Sequence, residues 1–138
     1  MAQGTGDRLK RAQRLVAVQE QMRRAAEVEL AGIRERAAGI EADRARLLAA
    51  LASSDHGPML LEVTSRRLRS LAAQATALEA EAAAQAEAVR ERGLAKKRAE
   101  ALSERRADDH RREADKRDDL ERLDGLAARI GRRDASLP

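Results

Sequence analysis

The 138-residue chain has no cysteine, phenylalanine, tyrosine or tryptophan, and only two prolines. Without cysteine there is no disulfide framework and no thiolate metal site, which fits a reducing compartment. Aromatic side chains would each bury about 150–250 Å²; here the hydrophobic 43% is mostly alanine, so a compact layered core is not expected. A dominant charge sign is also missing. The 28 basic and 24 acidic residues interleave to a net +4, so no face reads as a polyanion track. With no aromatic platform for bases either, nucleic acid is not an expected partner.

Other absences narrow the class further. The eight glycines are scattered and form no phosphate-cradling motif, so no nucleotide or other cofactor is expected. No run approaches the roughly 20 apolar residues of a membrane span. The start, MAQGTGDRLK, lacks the apolar centre of a signal peptide. A cytoplasmic protein is expected, with at most peripheral association at the inner membrane.

What remains is the composition of long helices: Ala, Glu, Arg and Leu in quantity. The strongest breaker is SSDHGP at 53–58, with capping residues followed by Gly57-Pro58. It predicts helix one over about 7–52, a turn at 53–58 and helix two over about 59–131. The first six residues and the tail 132–138 are expected to fray. Helix one carries a heptad seam of Leu9, Ala12, Val16, Gln19, Arg23, Ala26, Leu30, Ile33, Ala37, Ile40, Arg44, Leu47 and Leu51. Helix two answers with Leu61, Thr64, Leu68, Leu71, Ala75, Leu78, Ala82, Gln85 and Val89. The spacing then shifts through Arg92 to Ala95, Ala99 and Leu102, a local stutter.

A short connection folds neighbouring helices back on each other. The expected fold is therefore all-α, one antiparallel coiled-coil hairpin over 1–138 with the second helix longer and overhanging. Facing residues should carry numbers summing to about 111 or 112, as in Leu51/Leu61, Ile33/Leu78 and Ala12/Ala99. Gln19, Arg23, Gln85 and Arg92 put polar groups into the seam, where they can fix register or reach out to water.

In SERRADDHRREADKRDD, residues 103–119, only Ala107 and Ala114 are apolar. The pairing explains this. Helix one ends opposite about Glu104, so residues past Ser103 need no seam and rely on helix propensity and on i,i+4 pairs: Asp108/Arg112, Glu113/Arg117 and Asp118/Arg122. The overhang from 103 to 131 would project roughly 43 Å. Beyond it an apolar stripe returns at Leu120, Leu123, Ala127 and Ile130, with Leu126 alongside. It calls for a partner from outside; the alternatives are that helix one starts further back or that the tail dimerises.

Little else suggests chemistry. Asp108, Asp109, His110 and Glu113 share a helical stretch with Arg111 and Arg112, and read as a solvated face rather than a metal site. His56 reads as a turn residue. Neither histidine has the cavity a general base requires, so no catalysis is expected. Val18, Ala25, Gly32 and Gly39 line up on the outer face of helix one, either as a narrow groove for another helix or as tolerated surface residues. Arg8, Lys10, Arg11 and Arg14 crowd the first turns of helix one against the helix dipole, which points to an acidic partner, and the hairpin sets them beside Arg105 and Arg106.

The basic, apolar start RLKRAQRLVAVQEQMRRAAEVEL, the mid-chain turn, and the second helix with ERGLAKKRAEALSERR followed by HRREADKRDDLERLD together resemble the FliJ/YscO family. These are small coiled-coil stalk proteins of flagellar and virulence type III export machines. The resemblance covers nearly the whole chain. It implies an antiparallel hairpin similar to the central stalk of rotary ATPases, working with a hexameric export ATPase and a membrane export gate protein. It assigns Arg8, Leu9, Arg11 and Arg14, with the overhang bearing Leu120, Leu123, Leu126 and Ile130, to the ATPase ring. The gate contact would lie along the hairpin body, where members commonly carry aromatic residues and this chain has none. A generic coiled-coil scaffold, or an escort chaperone for exported subunits, is the competing reading, and export chaperones are further partners it admits.

Overall fold

A computed structural model describes residues 3–53 and 57–135. Two helices account for nearly all of them: α1 (Gln3–Ser53) and α2 (Pro58–Ala135). They pack against each other as an all-α hairpin, and α2, at 78 residues, is the longer. Residues 54–56, half of the expected turn and including His56, lie outside the described residues, as do 1, 2 and 136–138.

The helix boundaries follow from local chemistry. The Ser53 hydroxyl donates to the Ala50 carbonyl at 3.1 Å in the last turn of α1. Pro58 opens α2, where its fixed φ suits a helix and its missing N–H costs nothing. The Gly57 carbonyl accepts from the Leu60 and Leu61 amides, both at 3.1 Å, which makes it the first acceptor of the helix. Thus Gly57-Pro58 starts helix two as well as interrupting the chain. The ends expected to fray are partly helical: residues 3–6 belong to α1 and 132–135 to α2. Arg132 and Arg133 sit in the last turn of α2, where the helix dipole favours cations.

Packing divides the chain into two units. In the unit Glu20–Ala95, Ala26, Leu30, Ile33 and Leu71 are buried, Ile33 and Leu71 to 1% exposure. Leu30, Ile33 and Leu71 each contribute about 1.5–3 kcal/mol on leaving water. Thr64 is also buried, with its hydroxyl satisfied by the Leu60 carbonyl at 2.7 Å. Across the helices, Gln85 Nε2 donates to the Ala26 carbonyl at 3.1 Å and Arg36 meets Glu81 at 3.5 Å. Partner numbers rise on one helix as they fall on the other, so the pairing is antiparallel.

In the unit Met1–Gln19 with Lys96–Pro138, the buried residues among those described are Ala12 and Ala99. Here Thr5 Oγ1 and His110 Nδ1 share a hydrogen bond at 3.2 Å. All thirteen seam positions of helix one are buried or half-buried, and so are those of helix two apart from Leu61, which is 48% exposed. The expected closing layer Leu51/Leu61 is therefore open. The first turn of α2 leaves Leu61 wet, and the buried seam starts one position later at Thr64.

Candidate functional site

The residues expected to meet a partner fall into two groups on the Met1–Gln19 with Lys96–Pro138 unit. The first is basic. Arg8, Arg11, Ala12 and Leu15 of α1 line a shallow groove with Leu102 and Arg106 of α2. Arg8 and Arg11 are exposed, whereas Arg106 is ion-paired to Asp109 at 3.8 Å. Arg14 is not part of this groove; its Nε reaches back to the Lys10 carbonyl at 3.5 Å. Leu9 is half-buried in the seam beside this groove. The helix dipole does not oppose these cations. Because α1 includes Gln3–Gly6, Arg8 lies beyond the first turn, and the dipole's effect falls off within that turn. What distinguishes Arg8 and Arg11 is convergence with Arg106 across the groove.

The second group is the distal stripe. Leu120, Leu123, Leu126 and Ile130 are 53–61% exposed on a helix whose every residue from Asp115 to Ala135 is exposed. The bare segment begins later than the pairing predicts, since partial burial continues through His110, Glu113 and Ala114 instead of stopping at Ser103. The cause is the earlier start of α1, which supplies Thr5 and Gly6 as cover.

His110 is the residue most misjudged from sequence. It is half-buried, bonded to Thr5, and lies where a Cβ on Gly6 would approach its ring at 3.6 Å. The seam gave no signal for this: its register, carried backward, sets Thr5 opposite about Arg106 or Ala107, and the fold brings it to His110 instead. The ion pairs in this stretch also differ from expectation. Asp108 pairs with Arg111, Asp109 with Arg106 and Asp119 with Arg122, all at i,i+3 spacing, in place of the expected i,i+4 partners. Both spacings bring side chains onto one helical face, and rotamers choose between them.

The polar seam residues take distinct roles. Gln85 bonds across to α1. Arg23 forks between Glu20 at 2.7 Å and Glu27 at 2.6 Å, and the Glu20 hydrogen bond, opposed by some desolvation, holds its guanidinium above the ordinary arginine range. The Arg92 guanidinium lies 3.8 Å from the Met22 sulfur. Gly32 is half-buried and Gly39 lines a shallow groove with Gln74, Ala77 and Leu78 of α2, so these glycines flank the seam rather than the outer face, and nothing lies within 4 Å of either Cβ position.

The start of α2 carries a further apolar group. Met59, Leu60, Leu61 and Val63, at the start of α2, are all exposed, Met59 to 84%. The run MLLEV could have revealed it, because one helix face cannot bury consecutive apolar residues.

Among the described residues no helix is long and apolar enough to cross a membrane. No family model, curated protein or solved structure matches the chain.

Proposed function

We propose that this protein is a non-enzymatic, cytoplasmic coupling component of a type III protein export apparatus, similar to the FliJ/YscO stalk proteins. It binds a hexameric export ATPase and links it to the membrane export gate protein. One observation carries the reading: a stretch of α2, Asp115–Ala135, is helical and exposed throughout, yet bears Leu120, Leu123, Leu126 and Ile130. An exposed helix with an apolar stripe is a recognition element for a groove on another protein. At 1.5 Å per residue this segment spans roughly 31 Å, and a lone helix is about 10–12 Å across, slim enough for the axial channel of a ring. The Arg8, Arg11 and Arg106 groove, with Arg14 outside it, supplies charge for acidic residues on the ring's subunits. A charged, asymmetric ligand favours some subunits' states over others and so biases a symmetric hexamer toward sequential firing.

Reversing Arg8, Arg11 and Arg14 to Glu together should lower stimulation of the partner ATPase while leaving helicity unchanged. Undiminished stimulation would remove the basic groove from the assignment. The exposed Met59, Leu60 and Val63 favour a second reading as an escort for exported subunits; co-purification with such a subunit, and not with the ATPase, would support it.

A further inference from the structure

The distal stripe of α2 has a charge pattern that its apolar spacing alone does not require. Leu120, Leu123, Ala127 and Ile130 recur at alternating spacings of three and four, the a and d positions of a short coiled coil. Residues 115–124 carry five carboxylates and three bases, net −2; residues 125–135 carry three arginines and one aspartate, net +2. The segment is therefore complementary to itself when reversed.

We infer that, with no other protein on the stripe, two copies of this chain associate through an antiparallel coiled coil of their distal α2 segments. In this register Leu120 packs against Ile130 of the second copy and Leu123 against Ala127 of the second copy. The same register continues outward to set Lys116 against Asp134, and on one flank Asp119 against Arg133. It also accounts for Leu126, which lies off the a/d line. Leu126 falls where the two helices cross their symmetry axis and meets its own copy, as an isologous interface requires. On the opposite flank Asp124 meets Asp124, the single like-charge contact of this register. A parallel pairing would instead stack Lys116 on Lys116, Asp134 on Asp134 and the acidic half on the acidic half. Charge thus selects the orientation.

The contact is short and contains few large side chains, which places it among weak, reversible interfaces with micromolar dissociation constants. It uses the same stripe as the proposed ring contact but does not depend on that identification. The dimer would hold the apolar face out of water until a competing partner takes it.

Sedimentation of the full chain over a micromolar concentration series should show a monomer–dimer equilibrium. Leu123→Glu, on a surface that makes no hairpin contact, should abolish it with helicity unchanged. Lys116→Asp alone should weaken the dimer by about tenfold, because two attractive layers become repulsive, and adding Asp134→Lys should restore it. As the chain has no cysteine, orientation can be read directly. Leu120→Cys mixed with Ile130→Cys should cross-link, and Leu120→Cys alone should not. A monomer at every concentration, a dimer unaffected by Leu123→Glu, or self-cross-linking of Leu120→Cys would each overturn the inference.

Discussion

Ile33 and Leu71 are almost wholly enclosed, while the ion pairs around them stand largely in water. That contrast sets which side chains hold the hairpin. Ile33→Ala should cost about 2–5 kcal/mol, read as a lowered urea midpoint. Arg36→Ala, which removes the exposed 3.5 Å contact to Glu81, should change stability by less than about 1 kcal/mol. Glycines give the opposite sign. A Cβ at Gly6 would rest at ordinary contact distance from His110, and one at Gly39 would meet nothing within 4 Å. Gly6→Ala and Gly39→Ala should each raise stability by up to about 1 kcal/mol, because a helical glycine sacrifices backbone entropy with no compensating contact. A loss of stability in Gly6→Ala would show the Thr5–His110 contact to be tighter than its geometry indicates.

At the scale of elements, α2 changes character along its length. Its middle is held by α1, whereas Asp115–Ala135 relies on intrahelical hydrogen bonds, propensity and side-chain pairs such as Asp119–Arg122 at 3.8 Å. Most helical stability in proteins comes from packing an apolar face, a packing that this segment lacks. Amides of this segment should exchange hydrogen far faster than those around Leu71, and Gly125→Ala with Gly131→Ala should slow them by adding about 1 kcal/mol per site. Uniform protection along α2 would contradict the exposure of the segment. Heptad spacing made the existence of both helices and nearly every seam position legible in advance, since one apolar side chain every three or four residues has no other stable use in stretches without turn signals. The ends were less legible. Small residues such as Thr5 and Gly6 carry no periodic signal, yet they can be helical and can cover a neighbour.

Across the whole molecule, the two units bury different amounts of hydrocarbon. Glu20–Ala95 encloses Leu30, Ile33 and Leu71, but in the other unit the buried positions are the alanines at 12 and 99. A methyl removes far less apolar area from water than a leucine or isoleucine side chain. Native-state hydrogen exchange in low denaturant should therefore show the Met1–Gln19 with Lys96–Pro138 unit opening at lower free energy than Glu20–Ala95. A single global transition at every amide would refute this.

By itself the sequence determined that the chain is two long helices, where they break and which stripe of each turns inward, because helical periodicity and the Gly57-Pro58 breaker are local properties. It also displayed the basic residues and the distal leucines as unclaimed by that seam. Only the tertiary structure decided that Arg14 stays outside the basic groove, that His110 is covered by Thr5, and that Leu61 with Met59 stays in water. Those outcomes depend on where one helix ends beside the other, and that relation is fixed by contacts between residues far apart in the chain.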